Sequence, residues 1–149
     1  SNPPQWLMSS DWALIAVVIV AVWKSFGYYM IILLAGLQGI PGYLYESAEL
    51  DGANKLKQFF YITLPSLSPT LFIVIILAVI GSFQVFDLVS VMTDGGPGRS
   101  TNVLVFRIYQ EAFVNYRMGY ASAMSVVLFL IILIVSIVQF RLEKKWVTY

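Results

Sequence analysis

Histidine and cysteine are both missing from this 149-residue sequence, and Asp, Glu, Lys and Arg together make only 11% of it. Without His or Cys there is no zinc site of the usual ligand types, no Cys nucleophile, no Ser-His-Asp triad and no disulfide. The same absence leaves the redox compartment undefined. A soluble domain carries roughly 25% charged residues, so this chain cannot cover itself with charge in water. Nine basic and eight acidic residues leave a net charge of +1, which is no footprint for nucleic acid. The opening Ser1-Asn2-Pro3-Pro4 has no Met, no basic stretch and no immediate apolar run. No signal peptide is expected, and the chain is expected to begin partway through a longer product.

What is present is apolar. Hydrophobic residues make 59% of the chain, against roughly 45–50% in a soluble domain, and mean hydropathy is +0.80. The composition is that of an integral membrane protein. A helix needs roughly 20 apolar residues to cross the hydrocarbon core. Three stretches qualify: 12–38, interrupted only by Lys24; 67–92, reaching past Asp87; and 118–140. They predict an all-α membrane protein with three transmembrane helices. Gly27, Gly36, Gly39 and Gly81 read as positions of close helix packing. Trp12 and Trp146, near span ends, read as interfacial anchors.

Two connections join the spans. The second, 93–117, opens on the turn-rich Thr93-Asp94-Gly95-Gly96-Pro97-Gly98 and continues into a short helix over 102–114, with Phe106, Tyr109 and Phe113 near one face. Gly95–Thr101 invites comparison with a phosphate loop and fails it. The GxxxxGK[ST] pattern needs Gly where Thr93 stands and Lys where Arg99 stands. Lys55, Lys57, Arg141, Lys144 and Lys145 fall on one side of the three spans, and Arg99, Arg107 and Arg117 on the other. By the positive-inside rule the first connection and the C-terminus are cytoplasmic.

The first connection, 41–65, is the most informative segment. Pro41 ends the first span and can start a new helix. Tyr43–Leu50 then makes about two turns. Gly52 can take positive φ and suits the break before a second helix over 53–64, which Pro65 closes. Two readings fit: an interfacial hairpin that merely joins two spans, and a docking surface for another protein, suggested by small residues beside acidic ones.

Glu46-Ser47-Ala48, three residues, Gly52, nine residues, Ile62, one residue, Leu64-Pro65 resembles the EAA motif of ATP-binding-cassette importer permeases. Ser47 departs from the usual Ala and is also small. Asp51-Gly52-Ala53, Met92–Thr101 and Met118-Gly119-Tyr120-Ala121-Ser122-Ala123 are similar to the binding-protein-dependent, maltose-type carbohydrate permeases. The likeness is to the subunit of the larger maltose permease and of the first glycerol-3-phosphate permease. The resemblance implies half of a type I importer permease fold, here the C-terminal three spans, with the Gly-broken hairpin as a coupling element. It implies a multi-pass protein of the inner (cytoplasmic) membrane. Its partners would be a cytoplasmic ATP-binding subunit, a second permease subunit, an extracytoplasmic solute-binding protein, the lipid bilayer and a carbohydrate, with no nucleic acid. No catalytic residue, cofactor or metal is implied, because ATP hydrolysis belongs to the partner. Glu46, Ser47, Ala48, Asp51, Gly52 and Ala53 would carry the ATPase coupling.

For the solute path the residues themselves offer candidates. Lys24 is an ionisable group in an apolar span, a functional hypothesis by default. Ser82 lies at similar depth by residue count. Ser25, Tyr28 and Gln84 add hydroxyl and amide groups, and Phe83 and Phe86 add flat apolar surface; sugars want that mixture. Lys24 bonding a backbone carbonyl, or facing a water-filled cavity, remains open beside solute contact. Gln84 and Asp87 can also serve only to bond neighbouring helices; for Asp87, near the outer surface, solvation is the favoured reading. A polyol or glycerol-3-phosphate-like solute, for which Lys24 would suit an anion, is the alternative cargo. A non-transporting membrane scaffold is a rival of another class. An intramembrane enzyme ranks last, because adjacent Lys24 and Ser25 point about 100° apart on a helix.

Overall fold

The computed structural model describes residues 5–146, of which 144–146 by backbone alone. Expectations resting on Ser1–Pro4 and on the side chains of Lys144, Lys145 and Trp146 lie outside the described residues. Every regular element among the described residues is helical: α1 (Ser10–Gln38), α2 (Gly42–Leu50), α3 (Lys55–Gln58), α4 (Leu64–Phe83), α5 (Asp87–Met92), α6 (Leu104–Tyr109) and α7 (Met118–Trp146). Two π turns complete the list: Gln110–Val114 continues α6, and Phe59–Thr63 joins α3 to α4, so the helical run is continuous over Lys55–Phe83. That run, Ser10–Gln38 and Met118–Glu143 are long and apolar enough to cross a membrane. Their large side chains are mostly exposed, Ile19, Val22, Ile31, Phe129 and Ile134 among them. Faces this apolar need lipid or protein against them.

Two expected boundaries differ. Pro65 was expected to close the helix of the first connection; instead it lies inside α4. The π turn is the reason. The Leu64 amide reaches back five residues to the Phe59 carbonyl, which shifts the ladder where the proline has no N–H to give. Pro69, four residues on, deprives the Pro65 carbonyl of its helical donor, and the Ser68 hydroxyl donates to that carbonyl at 2.6 Å instead. The second difference is at the far end. One helix was expected over 67–92; α4 stops at Phe83, and α5 starts only at Asp87. The window stays apolar on average despite Ser82, Gln84 and Asp87, so mean hydropathy did not mark the break.

The chain forms two compact units. The first takes the chain up to Ser25 together with Val79–Ser136. Its core is Val17 of α1, Val89 of α5 and Phe106 of α6, flanked by Val85, Phe86, Leu88, Met92 and Val103. Gly95, with φ +81°, lies against Phe106: a Cβ there would sit 2.7 Å from the ring. Hydroxyls tie down the glycine-rich turn. Thr93 and Thr101 share a 2.7 Å hydrogen bond, and Thr101 donates to the Gly96 carbonyl at 2.8 Å. Below the turn, Glu111 is fully buried between Arg107 at 2.5 Å and Arg117 at 3.5 Å. These contacts are ionic and lack well-aligned hydrogen bonds. Arg117 also stacks 4.9 Å over the Tyr120 ring.

The second unit takes Phe26–Ala78 together with the chain from Ile137. Here α4 packs on α1 through Gly36, where a Cβ would fall 2.7 Å from the Thr70 hydroxyl and 2.8 Å from Leu67. Phe72 of α4 meets Phe140 of α7 edge-on at 5.6 Å. Of the glycines expected to permit close packing, Gly36 does so; Gly27 has nothing within 4 Å of its Cβ position. Thr70 is branched and short, so it has little room to yield. Gly36→Ala should therefore cost about 1–3 kcal/mol by overpacking, whereas Gly27→Ala should be neutral or slightly stabilising through helix propensity. Thermal unfolding of both variants in the same detergent checks the contrast; equal midpoints would refute it.

Candidate functional site

The first connection is a closed helix-turn-helix of the second unit. Pro41, at φ −63° and ψ 131°, is extended and opens α2. At the far end the Ala53 amide donates to the Ala48 carbonyl at 2.9 Å, and the Gly52 amide to the Glu49 carbonyl at 3.0 Å. These two bonds are a Schellman closure, and the residue at its turning point must take positive φ. Gly52 does so, at φ +75°, with nothing within 4 Å of where a Cβ would stand. The glycine is therefore required by backbone conformation and not by crowding. Ala48 and Ala53, half-buried, supply the carbonyl and amide of the 2.9 Å bond.

Further residues lock the turn. Asn54 caps α3 by accepting from the Lys57 amide at 2.9 Å. Gln58, 3% exposed, donates to the Ala53 carbonyl at 3.3 Å. Tyr45 of α2 and Thr63 of the π turn share a 3.0 Å hydroxyl bond. Lys55 hydrogen-bonds and ion-pairs with Glu49 across the turn. Sequence reading passed over Asn54, Gln58, Tyr45 and Thr63. Asn54 carried a usable signal, a capping residue directly before a helix; the others did not, because their partners are set by tertiary geometry. The outer surface that remains offers Glu46, Ser47, Asp51 and Gly52, all exposed. It sets two carboxylates, Glu46 and Asp51, beside small side chains on a rigid frame.

The expected path residues are divided between the units. Lys24, Ser25, Ser82, Phe83 and Gln84 belong to the first, Tyr28 to the second. Tyr28 is exposed, its ring edge-on to Tyr29 at 5.5 Å. Ser82 donates back to the Val79 carbonyl at 2.7 Å. Phe83 is the last residue of α4, and Gln84 turns out of it, its amide on the Gly81 carbonyl at 3.0 Å. Among the described residues Lys24 bonds no carbonyl: it hydrogen-bonds and ion-pairs with Asp87, the first residue of α5. Asp87 thus follows the helix-bonding alternative, while its side chain stays 60% exposed. Lys24 is fourteen residues along α1 from Ser10, about 21 Å at the helical rise. Asp87 reaches that level because α4 ends at Phe83 instead of running on. Phe86, in the break, packs edge-on to Tyr109 at 5.0 Å. The glycine-rich turn borders a cavity of about 540 Å³ whose lining includes Asp94, Arg99, Asn102, Arg107, Gln110 and Asn115.

An all-helical chain with three membrane-length helices and a closed helix-glycine-helix between the first two defines a class of integral membrane component. Residues 5–148 match the family described as "Binding-protein-dependent transport system inner membrane component", and the chain belongs to that family. It is 41% identical over 139 residues to the sulfoquinovosyl glycerol transport system permease protein SmoG of Agrobacterium fabrum, covering 93% of this chain and 45% of that one. It is 38% identical over 144 residues to the sn-glycerol-3-phosphate transport system permease protein UgpA of Rhizobium meliloti, covering 96% and 49%. The chain thus spans about half the length of these curated relatives. Its fold is that of a chain in the crystal structure of a bacterial alginate ABC transporter in complex with an alginate pentasaccharide-bound periplasmic protein. The TM-score is 0.85 at 22% identity, over 97% of this chain and 50% of that one.

Glu49 gives a pH test of the turn. The hydrogen bond from Lys55 holds its carboxyl below the usual carboxylate range, assisted by Gln58 and by the lysine charge. A depressed folded-state pKa contributes above the unfolded value, about 4.3 for Glu, and is lost as pH falls through the folded one. Amide exchange at Gly52 and Ala53, compared with Glu49→Gln, should show the brace intact at neutral pH and lost only below that range. The variant should lack it at every pH. Indistinguishable exchange in the two proteins at neutral pH would sink this account.

Proposed function

We propose that this chain is part of the permease subunit of an ATP-driven carbohydrate importer. It forms solute path with its spans and couples to a cytoplasmic ATPase through the first connection. The observation that carries the reading is the Schellman-closed turn at Gly52, which presents Glu46, Ser47 and Asp51 on a braced frame. Glu46 offers a charge-assisted contact to an Arg or Lys of the ATPase. A rigid connector is what transmission of an ATP-driven movement requires, since a floppy one would absorb the displacement. On this reading the first connection and the C-terminus are cytoplasmic, and the second connection, with its polar cavity, faces the solute-binding protein. A companion permease completes the path. ATP hydrolysis belongs to the partner.

The solute path is assigned to Lys24, Ser25, Tyr28, Ser82, Phe83 and Gln84, a mixture of hydroxyl, amide and aromatic groups suited to sugar. A second reading, an anionic or polyol solute, is favoured by the names of two relatives, a sulfoquinovosyl glycerol permease and an sn-glycerol-3-phosphate permease.

The test is Gly52→Leu in the full-length protein, reconstituted with companion permease, ATPase and binding protein. Forcing a side chain into positive φ costs on the order of 1–3 kcal/mol, enough to reopen the turn while leaving the spans folded. Solute-stimulated ATP hydrolysis and uptake should fall at least about tenfold, the equivalent of about 1.4 kcal/mol of lost coupling, with the complex still assembled. Unaltered transport would remove the coupling assignment. An assembled wild type that no solute stimulates would favour a scaffold without transport.

A further inference from the structure

Lys24 is the lone charge between Asp11 and Glu46, and Asp87 is the lone charge between Lys57 and Asp94. The first unit brings these two isolated, opposite charges together, although 63 residues separate them. An unpartnered ionisable group in an apolar span is expensive, and such groups characteristically pair with one another. Both side chains are about 60% exposed in this chain, 59% for Lys24 and 60% for Asp87. In water so open a pair would contribute little, so its worth depends on an apolar or narrow surround. Its position is specific. It joins the middle of α1 to the first residue of α5, across the break that follows Ser82, Phe83 and Gln84.

We propose that Asp87 is a positioning residue of the solute path: its carboxylate neutralises and fixes Lys24, and the pair clasps the broken segment Gln84–Phe86 to α1. The proposal rests on the importer reading above. Lys24 is then no free cation offered to an anionic solute. Its charge is spent inside the protein, and solute is met by the groups that the clasp holds in place. The proposal also gives the break a function. Apolar contacts of Val85 and Phe86 with the core of the first unit anchor one side of it, and the ion pair anchors the other. Gln84, exposed between them, is presented in one conformation.

Direct contact and clasping predict opposite signs. Were Lys24 to bind an anionic solute, Lys24→Met would weaken transport and Asp87→Asn, by freeing the cation, would strengthen it. If the pair is a clasp, both weaken it, and exchanging the charges restores it. The experiment uses the full-length permease in liposomes with its companion permease, ATPase and binding protein. Uptake of radiolabelled maltotriose and of glycerol-3-phosphate is followed per assembled complex. For whichever wild type takes up, Lys24→Met and Asp87→Asn should each raise the half-saturating concentration about tenfold, and the exchange Lys24→Asp with Asp87→Lys should bring it back within about threefold. Opposite shifts in the two single variants, an unchanged half-saturation with less assembled complex, or an exchange no better than the singles would each overturn the clasp. Wild type that takes up neither probe would count against the importer reading and not against the clasp. The clasp is then judged on Lys24→Cys with Asp87→Cys in a cysteine-free background. A short bis-thiol-reactive reagent should bridge the two in the bilayer, and failure to bridge them overturns the proposal.

Discussion

Backbone hydrogen bonding in an apolar surround leaves this chain helix and little else. Where no water can satisfy an amide or a carbonyl, each must find its partner within the segment. That constraint explains the long runs and, more usefully, every departure from them. The Pro65 carbonyl, left without a donor by Pro69, takes the Ser68 hydroxyl. The missing donor at Pro65 falls just after a π turn that shifts the ladder. The end of α2 is closed by the amides of Gly52 and Ala53. The turn after α5 is closed by Thr101 on the Gly96 carbonyl and by the Asp94 amide on the Val89 carbonyl. Asp51, Gly52 and Ala53 lie at one of these closures and Gln84 in the break after α4, whereas Lys24, Ser25 and Tyr28 lie within α1.

Scarce charge is handled by the same economy, and burial decides what each pair does. Glu111, with no exposure, sits between Arg107 and Arg117. Removing its partners would strand a buried carboxylate, a loss of about 3–5 kcal/mol. That cluster therefore fixes the second connection to the start of α7. Glu49 with Lys55 lies at the surface, where an ion pair contributes little to stability. Its effect is local, on the geometry of one turn. Lys24 with Asp87 is likewise open in this chain, its side chains 59% and 60% exposed. On the clasp proposal it contributes little to stability and serves to hold the break after Phe83.

Composition was enough to read three spans and an all-helical membrane protein, because a bilayer accepts so few alternatives. The helix-glycine-helix was legible from Pro41 and Gly52, two residues whose backbone preferences are strong. The break in the second span was not legible. Ser82, Gln84 and Asp87 lie at the break, but hydropathy averaged over a span-length window stays high across them and does not say where the helix stops. The Pro65 boundary was misplaced for a related reason: a proline ends a helix only where the ladder cannot shift, and here a π turn shifts it. Asn54 could have been read as a cap. Gln58, whose role depends on a carbonyl brought near by folding, could not.

The sequence by itself determined that the chain is helical with three membrane-length apolar runs, and that Gly52 turns the first connection. Each of these follows from properties of single residues or of local runs: hydrophobicity, the ring of proline, the missing Cβ of glycine. Only the tertiary structure decided what the isolated charges do. Lys24 and Asp87 each read alone as an anomaly, one a candidate ligand and the other a solvated carboxylate. Their pairing depends on a helix break that places residues distant in sequence at one level. Coulombic attraction acts on separation in space, and the sequence gives distance only along the chain.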